Sequence, residues 1–174
     1  TQLEIGGYGT HGTFVHLYIN GLYWGMYNLV ERPDASYAAR YLGGQKSDYD
    51  AFNVEELKDG TTNAWFELLA IVKGGVTNAT TWSNVCYYLN VPHFIDYMLI
   101  NFYAANEDWP WNNYWKDGAV THGVPFHFLS WDAELTFMQV ANNMTGVWLG
   151  DPGVVYASLR NYPEFRRLRA VLGA

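Results

Sequence analysis

The chain has 174 residues, a length suited to one folded domain with a substantial core and too short for two large ones. Hydrophobic residues make up 49% of it and charged residues only 16%, which excludes an intrinsically disordered chain. The net charge is −7, and the one basic run, "RRLR", lies near the end, so neither nucleic acid nor an anionic membrane is expected as a partner.

Two further classes are excluded by what the chain lacks. No apolar run reaches the roughly 18 residues that a membrane span needs. The single cysteine, Cys86, excludes an internal disulfide and a cysteine-based zinc site, and we expect it to be buried. The first residues are expected to enter a strand almost at once, without an initiator methionine. We therefore treat residues 1–174 as one partial domain, truncated at the amino terminus and also at the carboxyl terminus.

The amino-terminal part predicts a β-hairpin followed by a helix. "TFVHLYINGLYWGMYNLVE" alternates apolar residues on either side of Asn20-Gly21, a pair that supplies the positive φ angles of a two-residue turn. Asp34 is placed to cap a helix over "ASYAARYL", which should stop at Gly43-Gly44. The stretch after these glycines, to about residue 60, is predicted to be a loop.

The remainder is predicted to be mainly helical. Helices are expected over "TTNAWFELLAIVKGG", "TTWSNVCYYLN", "VPHFIDYMLINFYAAN", "VVYASLRN" and "PEFRRLRAVL". Between the third and fourth of these, "NYWKDGAVTHGVPFHFLSW" predicts two short strands around a glycine-containing loop. The fold class is therefore α+β, with an amino-terminal β-hairpin, a mainly helical lobe and a second small hairpin.

Polar residues with a recognisable spacing surround that second hairpin. Asp108 follows the most strongly predicted helix, Asn113 comes five residues later, and Asp132 ends the second strand nineteen residues after Asn113. In protein kinases a loop aspartate orients the attacking hydroxyl, an asparagine five residues later holds a metal, and a further aspartate beyond a hairpin holds the metals against the phosphates. Mg²⁺ prefers such oxygen ligands and keeps several waters. The spacing predicts phosphoryl transfer, with Asp108 as base and Asn113 and Asp132 as ligands.

Three segments in the same order resemble the CotH kinase family, the relatives of spore coat protein H. They are "LYINGLYWGMYNLVERPD", "NFYAANEDWPWNNYW" and "FHFLSWDAELTF". The resemblance implies an atypical protein-kinase-like fold that uses ATP with Mg²⁺ or Mn²⁺ to phosphorylate a protein substrate at the cell or spore surface. It places Asp108 in the catalytic loop, and Asn113, Asp132 and Glu134 at the metal. Glu31 would support the nucleotide side of the cleft, paired with a lysine.

The chain also departs from the family pattern. Glu134 replaces an aspartate, no glycine-rich phosphate loop is present, and the strands that precede the family's hairpin are missing. Lys58 and Lys116 are the nearest cations to the motifs, and neither has an assigned role. The tryptophans near Asp108 are expected to be core residues.

Competing interpretations remain at this point. Asp108 could cap backbone amides, Asn113 could only stabilise its turn, and Glu31 could pair with Arg32 or Arg40. Asp132 is expected to be partly buried, which would favour a functional role. A non-catalytic structural or adhesive surface domain is the alternative to the kinase. A carbohydrate site is a third interpretation, and a glycosidase would need two carboxylates about 5 or 6.5–9.5 Å apart.

Overall fold

The computed structural model describes residues 2–139, 141–146 and 148–173 of an α+β protein. Across these residues seven α-helices accompany two antiparallel sheets. The helices are α1 (Gln2–Gly6), α2 (Ala35–Leu42), α3 (Asn63–Gly74), α4 (Ala79–Tyr88), α5 (Val91–Tyr103), α6 (Gly150–Leu159) and α7 (Pro163–Leu172). The strands are β1 (Gly12–Ile19), β2 (Leu22–Val30), β3 (Asp50–Asn53), β4 (Glu56–Asp59), β5 (Tyr114–Ala119) and β6 (Val124–Ser130). None of the helices in the described part is long and apolar enough to cross a bilayer.

The predicted amino-terminal hairpin is confirmed. Strands β1 and β2 pair from Gly12 with Val30 to Ile19 with Leu22, and Asn20 and Gly21 form the turn with φ angles of 51° and 79°. Most of its side chains are exposed, and residues 12–30 contain no Asp, Glu, Lys or Arg. The hairpin therefore presents an uncharged, aromatic-rich surface.

The second hairpin is part of a larger sheet than the sequence predicted. Strands β5 and β6 confirm the two predicted strands, but the order of the sheet is β4-β3-β5-β6. The prediction of a loop up to about residue 60 was wrong, because this stretch contains β3 and β4. Strand β3 has only four residues and pairs with β5, from Asp50 with Gly118 to Asn53 with Trp115. A contact with a strand so distant in sequence leaves no local pattern.

The core lies on both faces of this sheet. Phe52, Lys116 and Phe128 are cross-strand neighbours, and the ring of Trp65 on α3 packs against Phe128 with centroids 5.7 Å apart. The opposite face carries a smaller buried cluster of Tyr8, Tyr37, Trp115 and Leu129. The strand alternation therefore sends Lys116 and Trp115 to different faces.

Two other expectations were wrong. The described residues begin with helix α1 instead of a strand. The Gln2 side chain holds this helix against strand β6: its amide donates to the Phe128 carbonyl at 2.6 Å and its Oε1 accepts from the Ser130 amide at 2.8 Å. Cys86 lies on the exposed side of α4 and is not buried. The helix capped by Asp34 is confirmed, with the Asp34 side chain accepting from Ser36 N at 2.9 Å.

Candidate active site

The loop that carries Asp108 is anchored by buried polar contacts at the end of α5. The Asn106 amide donates to Asn101 Oδ1 at 3.0 Å, and Asn106 Oδ1 accepts from the Asp108 backbone at 3.4 Å. The next residue, Trp109, is fully buried and donates its indole N–H to the Tyr97 hydroxyl at 2.6 Å. The loop is therefore held on both sides of Asp108 before it enters β5.

The pairing of β5 with β6 brings Asn113 and Asp132 together. Tyr114 pairs with Ser130 at the end of the sheet, and the Trp131 amide donates to the Asn113 carbonyl at 3.0 Å. Both Asn113 and Asp132 have positive φ angles, 60° and 49°. Asparagine and aspartate tolerate this conformation better than most other side chains. The two residues therefore form tight turns at neighbouring strand ends, where they contact each other.

The side chain of Asn113 joins the three predicted residues. Its Nδ2 donates to Asp108 Oδ2 at 2.7 Å and to the Asp132 carbonyl at 3.1 Å. Asn113 thus stabilises its own turn and also links the two aspartates. The interpretation in which Asp108 caps backbone amides gains no support from these contacts, because the partner of its carboxylate is the Asn113 side chain.

The cluster opens toward solvent on the Asp132 side. Asp108 and Asn113 are half-buried, whereas Asp132 and Glu134 are exposed. The expectation that Asp132 is partly buried was therefore wrong, because the residue lies in a loop beyond the sheet. Asp132 and Glu134 line an open cleft of about 710 Å³ whose other wall is the base of the β1–β2 hairpin, including Phe14 and Asn28. Such a cleft can admit a ligand beside the carboxylates.

Glu31 lies apart from this cluster. Its Oε2 is 2.8 Å from His11 Nδ1, and its Oε1 accepts from the Tyr41 hydroxyl at 2.6 Å. Partial burial raises the pKa of Glu31, but hydrogen bonds from Tyr41 and His11 outweigh that effect and hold the pKa below its ordinary value. The kinase interpretation predicted a lysine as the partner of Glu31, and the structural interpretation predicted Arg32 or Arg40. The partners in the structure are instead His11 and Tyr41.

Comparison with known proteins places the chain in a family. The model of the CotH kinase protein family matches residues 3–170. The chain belongs to the CotH kinase family. A comparison with curated proteins gave no match. In this CotH-family chain the matched region contains every one of the predicted site residues.

The two lysines near the motifs are committed to other contacts in this CotH-family chain. Lys116 is fully buried, with its Nζ 2.5 Å from Asp151 Oδ2. Burial lowers the pKa of Lys116, and the carboxylate of Asp151 opposes that effect. Lys58 forms a salt bridge with Glu56 at 2.5 Å. Neither arrangement directs a lysine into the cleft beside Asp132.

Arg32, which the sequence suggested only as a structural partner of Glu31, is a further cation near the cluster. Its guanidinium carbon lies 5.4 Å from the centroid of the Trp115 ring, and that ring packs on Trp131 with centroids 6.2 Å apart. Trp131 immediately precedes Asp132 in the chain. The position of Arg32 directly after Glu31, at the end of the family's hairpin segment, was the available signal.

The oxygen atoms of the cluster fit a magnesium or manganese ion in chemical type. Asp132 and Glu134 supply carboxylates and Asn113 supplies an amide oxygen, the ligands that Mg²⁺ accepts together with waters. Within residues 2–139, 141–146 and 148–173, no group of three or more His, Cys, Asp or Glu side chains is arranged to hold a metal ion. Mg²⁺ sites that bind substrate phosphates commonly use only one or two protein carboxylates, with phosphates and waters completing the coordination.

Proposed function

We propose that this chain is a CotH-type protein kinase-like phosphotransferase that moves the γ-phosphoryl group of ATP to a serine or threonine hydroxyl of a surface or coat protein. The observation that carries the proposal is the Asn113 side chain, which bonds to the Asp108 carboxylate and to the Asp132 backbone. Membership of the CotH kinase family supports it. The proposed fold is an atypical kinase-like one, with the nucleotide between the hairpin and the helical part.

Asp108 acts as the base in this proposal. Asn113 fixes Oδ2 of Asp108 at 2.7 Å, and Oδ1 is assigned to the acceptor hydroxyl. The acceptor oxygen forms a bond to the γ-phosphorus, the bond from that phosphorus to the ADP oxygen breaks, and the hydroxyl proton passes to Asp108. Positioning the hydroxyl in line with the phosphorus contributes as much as proton removal does.

Asp132, Asn113 and Glu134 form the metal side of the site. Asp132 and the Asn113 amide oxygen would hold Mg²⁺ or Mn²⁺, and Glu134 would bind through water on the same wall of the cleft. A bound divalent ion neutralises charge on the phosphates as the terminal group is transferred. We assign Arg32 to the phosphates as well, because its guanidinium is already held over Trp115 on this side of the sheet.

A thermal-shift experiment tests the proposal on the chain itself. ATP with Mn²⁺ should raise the melting temperature, and neither component alone should do so. A ligand at 100 times its dissociation constant stabilises by about 2.7 kcal/mol, which for a chain of this size is a shift of about 5–10 °C. Asp132→Asn should abolish the shift, whereas Glu67→Gln, on the exposed face of α3, should leave it unchanged. A shift that persists in Asp132→Asn would contradict the proposed metal side.

The exposed hairpin favours a second candidate, a non-catalytic adhesive domain at a cell or spore surface. Phe14, Leu22 and Met26 are between 62% and 69% exposed on a hairpin without a charged residue of the Asp, Glu, Lys or Arg type. Apolar patches of this kind mark interaction surfaces. Absence of any ATP- and metal-dependent shift in the wild-type chain would favour this candidate over the kinase.

A further inference from the structure

A second cavity, separate from the Asp132 cleft, lies among helices α5, α6 and α7. Its volume is about 610 Å³. The residues that matter for its chemistry are Leu99, Tyr103, Trp148, Tyr156, Arg160 and Arg169. None of the five predicted site residues lines it, so its chemistry is not accounted for by the proposed phosphotransfer.

Both arginines of this cavity are held by the same pair of aromatic rings. The Arg160 guanidinium carbon lies 4.2 Å from the centroid of the Trp148 ring, and Trp148 stacks on Tyr156 with centroids 5.6 Å apart and an interplanar angle of 12°. Arg169 Nη1 donates to the Tyr156 hydroxyl at 2.8 Å. The guanidinium groups are therefore oriented before any ligand arrives, which reduces the entropy lost on binding.

Among the residues that the structure describes, the carboxylates leave the charge of these two arginines unpaired. Within the described part of the chain, none of the salt bridges involves Arg160 or Arg169. This is notable because the chain has 17 acidic and only 10 basic residues. Two guanidinium groups that line one cavity, neither with a carboxylate partner among the described residues, form a local positive site in a negatively charged protein, and their remaining N–H donors can bind an anion.

We propose that this cavity binds a phosphate monoester carried on a peptide side chain. A guanidinium donates two parallel hydrogen bonds to a phosphate, and two such groups match the nearly doubly negative charge of a phosphorylated serine or threonine. Tyr103, which is 83% exposed, and Leu99 provide apolar contacts for the residue next to the phosphorylated one. The cavity would thus dock an already phosphorylated segment of the protein substrate, and the word substrate here rests on the proposed function.

The position of the cavity suits that role. Tyr103 is the last residue of α5, and the loop that follows α5 carries Asp108. The ring of Tyr103 also packs on Phe137, with centroids 5.8 Å apart, in the loop that follows Asp132. The docking cavity and the candidate active site therefore share the end of one helix and one loop.

The test is a binding measurement without ATP or metal. A fluorescently labelled peptide containing one phosphoserine, and the same peptide with serine, are titrated with the whole chain and followed by anisotropy. The phosphopeptide should bind at least about tenfold more tightly, because its phosphate adds charge-assisted hydrogen bonds to the two guanidinium groups. Arg160→Gln and Arg169→Gln should each weaken it by about tenfold or more. Arg167→Gln, which removes the same charge from the exposed face of α7, should change the affinity less than about twofold.

Three results would overturn the proposal. The first is equal affinity for the phosphorylated and the unphosphorylated peptide. The second is a loss of affinity in Arg167→Gln as large as in Arg160→Gln, which would indicate diffuse electrostatic attraction. The third is competition by inorganic phosphate as strong as by unlabelled phosphopeptide, which would indicate a free-anion site. If Arg169→Gln lowers the melting temperature, the exposed Arg160 provides the deciding variant. Asp108→Asn should bind the phosphopeptide like the wild-type chain, so failure of docking is distinguishable from failure of the kinase proposal.

Discussion

Replacing Lys116 by methionine tests whether this lysine belongs to the core or to the nucleotide site. Lys116 is fully buried, its Nζ donates to the Val54 carbonyl at 2.6 Å and to Asp151 Oδ2 at 2.5 Å, and it lies 4.4 Å from the centroid of the Trp65 ring. Methionine is similar in length and apolar, so it fills the same space. The substitution leaves the Asp151 carboxylate, which is 9% exposed, without its cationic partner.

The expected loss of stability follows from that unpaired carboxylate. Removing one partner of a buried ion pair costs about 3–5 kcal/mol, and at about 2–4 °C per kcal/mol for this chain length the melting temperature should fall by about 6–20 °C. Lys58→Met is the matched control, because its partner Glu56 has a side chain that is 70% exposed. That change should cost less than about 1 kcal/mol.

Differential scanning calorimetry of the two variants checks these values. The double variant Lys116→Met, Asp151→Leu should recover most of the loss, because a well-packed apolar pair replaces a buried ionic one at little or no net cost. The reasoning would be refuted if Lys116→Met kept the wild-type melting temperature but lost the shift caused by ATP and Mn²⁺. Lys116 would then serve the nucleotide and not the core.

Two further substitutions probe the support of the site and the pH dependence of the fold. Gly150→Ala should destabilise by about 2 kcal/mol or more, because Gly150 has a φ of 63° and a Cβ there would collide with the backbone oxygen of Pro110 in the Asp108 loop. Gly74→Ala is the control, because a Cβ at Gly74 meets no neighbour, and calorimetry should show it to be neutral or stabilising by up to about 1 kcal/mol. Equal changes in the free energy of unfolding for the two substitutions would contradict this account. Burial raises the pKa of Asp117 from 3.8 to about 8, so the folded state keeps a proton that the unfolded state loses. That contribution to stability is complete below pH 3.8 and is lost as the pH rises through 8. Between pH 6.5 and 8 the free energy of unfolding should therefore fall more steeply for the wild-type chain than for Asp117→Asn, by up to about 1.4 kcal/mol per pH unit. Urea denaturation midpoints that change equally with pH in the two proteins would refute this prediction.

The elements with local signals could be predicted from the sequence. Asn20-Gly21 fixes a turn by itself, and Asp34 caps α2 by accepting hydrogen bonds from the Ser36 and Tyr37 amides. Strands β3 and β4 could not be predicted, since each has four residues and depends on a neighbour distant in sequence. Helix α1 was mistaken for a strand; it has only five residues, and the contact that holds it in place joins Gln2 to strand β6, more than a hundred residues away, which leaves no local signal.

The assignment of the candidate site residues stays a prediction, but the structure shows which of them lie together. Asp108, Asn113 and Asp132 meet because β5 pairs with β6, whereas Glu31 lies apart from them. The partners of Glu31 were not predictable, because Tyr41 reaches it from α2 only after the chain has folded back. Arg169 belongs to the basic run "RRLR", but its meeting with Arg160 beside Trp148 was not predictable, since it depends on how α6 and α7 pack.

Transfer of labelled phosphate tests the central claim most directly. The wild-type chain, Asp108→Asn and Asp132→Asn are incubated with γ-labelled ATP, Mn²⁺ and casein as a serine-rich acceptor, after calorimetry shows that each variant is folded. We predict labelled casein with the wild-type chain and a loss of at least about a hundredfold in each variant, in keeping with removal of a general base or a metal ligand. Equal incorporation by wild type and both folded variants would contradict the assignment of these aspartates to catalysis.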